Sequence, residues 1–129
     1  MERDAMTVAG NVAGIGFRSA APLASLIGLI EALEAPIAAL ATTQDKADQP
    51  QARALARALG LPLLAIAPER IAAQSTHTRS ARVIARIGAG SLAEAAALAA
   101  CGPGARLLIA RRISPDRMAS AALATGDET

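Results

Sequence analysis

The residues of this chain that are able to do chemistry stand at the ends of its apolar runs. Arg18 and Ser19 follow Val12-Ala-Gly14-Ile-Gly16-Phe17, and Thr43, Asp45 and Lys46 follow the run from Ile37 to Thr42. Ser91 and Glu94 open an alanine-rich stretch, and Arg111 and Arg112 follow Leu107 to Ala110. Glycine turns and helix N-termini present backbone N–H groups to anions. Arginine adds a planar fork that suits a carboxylate. Together these groups describe a site for an anionic ligand. Asp45 and Glu94 are the candidates for an acid or base, although Ser91-Leu-Ala-Glu94 also has the form of a capping box, in which each side chain is occupied by a backbone amide. The pattern around Gly14 and Gly16 also fits a tight strand-to-helix connection with a solvated arginine.

Other chemistries are excluded by what is missing. One His and one Cys cannot assemble a zinc or haem-type centre, so neither metal nor cofactor is expected. Gly14-x-Gly16 lacks the third glycine of a dinucleotide fingerprint, Ser19 standing in its place, and there is no phosphate-loop sequence. Ser75 and His77, two apart in a polar stretch, do not define a hydrolytic pair. Cys101 has no second thiol to join and precedes Gly102 at an expected helix end, where packing explains it.

Charge is unevenly placed. Residues 1–69 carry five Lys/Arg against seven Asp/Glu, whereas residues 70–117 carry eight arginines against Glu94 and Asp116. A positive half suits an anionic partner. It also fits a compositional habit, since twelve of the thirteen basic residues are arginine in an alanine-rich chain. With one Phe and neither Trp nor Tyr, the chain has no stacking platform for single-stranded nucleic acid. No stretch reaches the length of a membrane span and the N-terminus lacks a signal-peptide pattern. A cytoplasmic protein with neither a membrane nor a nucleic-acid partner is expected.

These groups need elements to position them. Val8, Val12 and Ile15 indicate a first strand, with a sharp turn or a close approach at Gly14 and Gly16. Pro22 opens a helix whose face is Leu23, Leu26, Ile27, Ile30 and Leu33 and which stops at Ala35-Pro36. Ile37–Thr42 is a strand, Thr43–Asp48 a loop, and Asp48 caps a helix running from Pro50 to Leu59 and ending at Gly60. Leu63–Ile66 is a strand, Pro68–Ile71 a single helical turn, and 73–78 an irregular polar segment. A helix from Ser80 carries Val83 and Ile87 on one side and Arg79, Arg82 and Arg86 on another, and breaks at Gly88-Ala-Gly90. The alanine helix after Ser91 reads as deeply buried, because little side chain suits a helix pressed against other backbone. Leu107–Ala110 is a strand, 111–117 a polar turn and Met118–Ala124 the last strand. The alternation predicts one α/β domain over residues 1–129, three-layered, with a mostly parallel sheet of about five strands. The short connection between the last two strands makes the last one antiparallel. Residues 1–7 and 125–129 are expected to be loose.

The ordered set Gly14-Ile-Gly-Phe-Arg-Ser19, Leu40-Ala-Thr-Thr-Gln-Asp-Lys-Ala47, Leu59-Gly-Leu-Pro-Leu63, Ser80-Ala-Arg-Val83, Gly90-Ser-Leu-Ala-Glu-Ala-Ala-Ala-Leu98 and Arg111-Arg112 with Met118-Ala-Ser-Ala-Ala122 resembles the CobE family of cobalamin biosynthesis proteins. That family is similar to the C-terminal domain of CbiG, the cobalt-precorrin-5A hydrolase. The resemblance implies a small α/β protein that acts on or holds an anionic tetrapyrrole, a precorrin or corrinoid rich in acetate and propionate carboxylates. It implies a cleft lined by Gly14, Gly16, Phe17, Arg18, Ser19, Thr43, Asp45, Lys46, Ser91 and Glu94, with Arg111 and Arg112 beside it. The family pattern has a lysine-rich turn and a glycine where this chain has Arg111-Arg-Ile-Ser-Pro-Asp116. The other domains of CbiG find no counterpart here, so lactone opening with loss of the two-carbon fragment is not carried over. The leading expectation is a carrier or accessory at the ring-contraction and deacylation stage, handing its ligand to other enzymes of the pathway. The alternative is a pathway hydrolase acting on a precorrin lactone or acyl group through Asp45 or Glu94. A nucleic-acid module using the positive half is the third reading. An alanine-rich helix face offers a contact for a homodimer.

Overall fold

The computed structural model describes residues 10–73, 89–102 and 104–126. The strands are β1 (Asn11–Phe17), β2 (Ala39–Thr43), β3 (Leu63–Ile66), β4 (Arg106–Ile113) and β5 (Ala119–Thr125). The helices are α1 (Leu23–Leu33), α2 (Gln44–Ala47), α3 (Pro50–Leu59), α4 (Pro68–Ala72) and α5 (Ala89–Cys101). They form a single α/β domain around one five-stranded sheet, ordered β3-β2-β1-β5-β4. β1, β2 and β3 are parallel, and β5 lies antiparallel between β1 and β4.

Strand alternation sorts the core into two layers of apolar contact. Ala13, Ile15 and Phe17 of β1, with Leu40 of β2 and Ala119, Ala121 and Leu123 of β5, meet Leu26, Leu29, Ile30 and Leu33 of α1 and Ala52 and Leu55 of α3. On the other face Val12, Ala39, Ala41, Ile66 and Ala124 meet α5 and Ile71 of α4. Arg70 of α4 donates to the Ala99 carbonyl and ties these two helices together.

α5 is buried from Ala93 to Cys101, Ala93 and Ala95–Ala97 completely so, as its composition predicts. Its closeness to the sheet explains Gly14. A Cβ built there would lie 1.9 Å from the Ala93 carbonyl oxygen and 2.8 Å from the Ala97 nitrogen. Gly14 is therefore a point of close approach inside a continuous strand. The expected turn at Gly14–Gly16 does not occur, because β1 continues to Phe17 and the chain turns at Arg18–Ala21, where Ala21 N–H donates to the Arg18 carbonyl at 2.9 Å.

Several boundaries move for identifiable reasons. α1 ends at Leu33 because Glu34 takes a left-handed cap conformation, φ 50°, two residues before Pro36. Thr43–Asp48 is not an open loop, since Gln44–Ala47 coil into one helical turn. Gln49 rather than Asp48 occupies the cap position of α3, and Asp48 pairs instead with Arg53 at 3.2 Å. Gly60 ends that helix at φ 67°, as its position predicts. Arg111 and Arg112 belong to β4, not to the turn after it. α5 starts at Ala89, two residues ahead of Ser91. Val8, the stretch 74–78 with Ser75 and His77, and the helix expected from Ser80 lie outside the described residues.

Candidate functional site

The sheet order reverses at β1. From there the chain moves outward through β2 and β3, and later returns to the other side as β4 and β5. In open α/β sheets the crevice beyond the carboxyl ends of the strands at such a reversal is where ligands bind. Gly14 pairs with Ala41, so the parallel register carries Gly16 to the level of Thr43 and Arg18 to that of Asp45. Arg18, Ser19, Thr43, Asp45 and Lys46 thus share one rim. α5 runs antiparallel to β1, with Ala93 and Ala97 over Gly14 and Cys101 beside the Gly10 carbonyl. At about 1.5 Å of rise per helical residue against roughly 3.3 Å per strand residue, its N-terminal turn at Ala89–Ser91 opens near Gly16.

Specific bonds hold the backbone of the rim. Lys46 Nζ donates to the Phe17 carbonyl at 2.8 Å and stands 5.2 Å from the centre of the Phe17 ring. The ammonium thereby locks the end of β1 to α2 and keeps two further N–H groups. Phe17 itself is buried in the α1 layer, so it supports the rim from below. Gln51 Nε2 of α3 donates to the Ser19 carbonyl at 2.7 Å and the Ala21 carbonyl at 3.1 Å, clamping the turn after β1. Thr42 Oγ1 donates to the Ile15 carbonyl at 2.8 Å. Thr43 Oγ1 is buried without a partner at ordinary hydrogen-bond geometry. Its nearness to Asp45, helped by the Lys46 charge, nonetheless holds that exposed carboxyl below the usual carboxylate range. Arg18 donates its backbone N–H to the Met118 carbonyl at 2.9 Å, while its side chain is exposed and meets no carboxylate among the described residues.

Other expected residues are placed elsewhere. Ser91 lies inside α5 at its third residue and not at its cap. Glu94 is wholly buried and its Oε2 accepts the backbone N–H of Arg111 at 3.0 Å, where the β4–β5 pairing is irregular. Arg111 is half-buried against α5, with Nη1 enclosed and unpartnered. Arg112 pairs with Ala121 and so lies on the opposite, α1 face, exposed. The two arginines are therefore divided between faces of an edge strand, two strands away from β1. Burial pushes the Cys101 thiol up to about 11, which leaves it a packing residue.

A network that the sequence does not announce closes the rim on the β5 side. Asp116, in the β4–β5 hairpin, accepts from Ser25 Oγ of α1 and from Ser114 Oγ, both at 2.6 Å, and from Met118 N–H at 3.1 Å. The Ser114 hydroxyl, then that of Ser25, holds its carboxyl below the ordinary value. A lowered folded-state pKa adds stability above the unfolded value near 3.8, lost as pH falls through the folded one. Melting temperatures measured from pH 6 to pH 2 are expected to fall less steeply in Asp116→Asn than in the wild type. Identical slopes would show that the carboxylate does not hold the hairpin.

Comparison with known proteins places this arrangement. The family model described as cobalamin synthesis G C-terminus matches residues 11–124. The crystal structure of cobalamin biosynthesis protein chiG from Agrobacterium tumefaciens is 33% identical, with a TM-score of 0.72 over 92% of this chain and 99% of that one. The structure of CobE, a protein from the cobalamin (vitamin B12) biosynthetic pathway, is 35% identical, with a TM-score of 0.74 over 88% of this chain and 91% of that one. A cobalamin biosynthesis protein G homologue from Sulfolobus solfataricus, 18% identical, shares the fold at a TM-score of 0.66, with 92% of this chain matching 37% of that longer one. No curated protein sequence matches the chain. The match runs from the first residue of β1 into β5, and two solved relatives agree over nearly their whole lengths, so this chain belongs to the cobalamin-biosynthesis family of CobE and the CbiG C-terminal domain.

Proposed function

We propose that the protein binds a carboxylate-rich precorrin or corrinoid at the rim beyond β1, in the cytoplasm, and holds it for the ring-contraction and deacylation stage of corrin synthesis. One observation carries this reading. In a cobalamin-biosynthesis family, the central strand ends in Arg18, an exposed guanidinium with no carboxylate partner among the described residues, beside the tethered ammonium of Lys46. Acetate and propionate side chains of a corrin supply the missing anions, and charge-assisted bonds to them are stronger than neutral ones. The backbone amides that open α5 near Gly16 add further donors.

A visible-absorbance titration with precorrin and cobyrinic-type corrinoids, with the ligand mass measured afterwards, tests the proposal. Tight binding with unchanged mass supports a carrier or accessory. Arg18→Ala is expected to weaken that binding about tenfold, or roughly 1.4 kcal/mol, without lowering the melting temperature. An unchanged titration removes Arg18 from the site. The second reading is a pathway hydrolase, and the low pKa of exposed Asp45 favours it as an ionised base rather than an acid. A loss of ligand mass that disappears in Asp45→Asn would establish that reading in place of the carrier.

A further inference from the structure

The hairpin between β4 and β5 carries an arginine where its geometry calls for glycine. Ser114 N–H donates to the Ala119 carbonyl at 2.9 Å, and Arg117 N–H donates back to the Ser114 carbonyl at 2.8 Å, closing a turn with Pro115 and Asp116 at its centre. Arg117 then sits at φ 61°, in the left-handed region. Hairpin loops ordinarily place glycine or asparagine there, because a longer side chain is strained. Glu34, the other non-glycine residue at positive φ among those described, is a helix C-cap, where that conformation is commonplace. Strain of this kind persists only when the surroundings enforce it, and residues that hold it gather at ligand sites. Here the enforcement is visible, since Asp116 draws in Ser114, Met118 and the α1 residue Ser25 on either side of Arg117.

The position matters as much as the strain. Phe17 pairs with Ala119, and Arg18 N–H continues the ladder to the Met118 carbonyl at 2.9 Å. Arg117 is thus one residue from the backbone partner of Arg18. Both are exposed, and neither meets a carboxylate among the described residues. The three donors on Asp116 come from serines and a backbone amide, so its charge is spent on the turn and not on either guanidinium. Two arginines without a carboxylate thus stand at neighbouring backbone positions across the β1–β5 junction, where an anion held by both would offset their like charge.

We infer that Arg117 is a specificity-determining ligand residue, which together with Arg18 clamps one carboxylate of the bound macrocycle at the junction of β1 and β5. The inference rests on the function proposed above. It assigns the β4–β5 turn to the ligand site and makes recognition depend on a free acid rather than on the corrin ring.

The test titrates cobyrinic acid and its heptamethyl ester into the wild type, Arg117→Gly, Arg117→Asn and Arg117→Lys, with a thermal melt of each. Glycine and asparagine both accept the left-handed conformation, so their variants are expected to melt at or above the wild-type temperature. Those two variants should lose about tenfold in affinity for the acid and nothing for the ester. Lysine keeps the charge but not the fork, and should lose about threefold for the acid. If the wild type binds the acid and Arg117→Gly binds it equally well, or loses acid and ester alike, the clamp is overturned while the function stands. A wild type that takes up neither probe overturns both.

Discussion

Gly14→Ala is expected to cost at least about 3 kcal/mol of folding stability, seen as a large fall in the denaturation midpoint or as failure to fold. The added methyl group would sit 1.9 Å from one backbone atom of α5 and 2.8 Å from another. Neither is the mobile end of a side chain, so relief requires the whole helix to move away from the sheet. Overpacking of well-fitted cores commonly costs about 1–3 kcal/mol, and a backbone clash on this scale belongs at or above the top of that range. Total stability of a domain is only about 5–15 kcal/mol. Gly28 provides the control. It lies on the exposed side of α1, where a Cβ meets nothing within 4 Å, so Gly28→Ala is expected to stabilise by about 0.5–1 kcal/mol. If the two substitutions shift the midpoint alike, α5 does not pack against β1 as described.

Glu94→Ala is expected to lose about 2–4 kcal/mol, with Glu94→Gln losing about 1 kcal/mol or less. The carboxyl group is wholly buried, and its Oε2 accepts the Arg111 N–H exactly where β4 departs from regular pairing with β5. Removing it strands a backbone donor at the irregularity and opens a space between α5 and β4. Glutamine keeps the shape and one acceptor oxygen. Urea titrations of the three proteins order the effects. Equal loss in both variants would mean that the accepted hydrogen bond is not the contribution that matters. In corrinoid titrations at temperatures where Glu94→Gln stays folded, affinity is expected to remain within about twofold of wild type, because the group lies in packing and not on the rim.

These two residues also mark where sequence reading stops. The Ser91–Glu94 spacing is a sound local signal, but α5 begins two residues earlier and one oxygen of Glu94 accepts from a strand that the spacing knows nothing of. Gly14 is legible as a glycine that needs room. Whether the room is for a turn or for a neighbour depends on Ala93 and Ala97, far along the chain. Where the signals are local, the reading and the structure agree. Pro50 and Gly60 bracket α3, Leu63–Ile66 is β3, and the alanine run is a buried helix. Arg111 and Arg112 look like turn residues because an edge strand tolerates charge on its open side. Of the site, Arg18, Thr43, Asp45 and Lys46 can be placed from the ends of apolar runs. The bonds that fix their surroundings, Gln51 to Ser19 and Ser25 to Asp116, join residues too far apart for any periodicity to reveal.

β5 is the last of the described strands, yet it fills the place beside β1, the first of them, bringing Thr125 opposite Asn11. During synthesis β1 must therefore wait with one edge open until Ala119–Thr125 has left the ribosome. β4 reaches the sheet only through β5, so it waits as well. Pairings this distant in sequence close slowly. A nascent or truncated chain that stops before Ala119 would expose the β1 edge and the alanine helix together, and quality-control proteases would meet it as a half-built sheet.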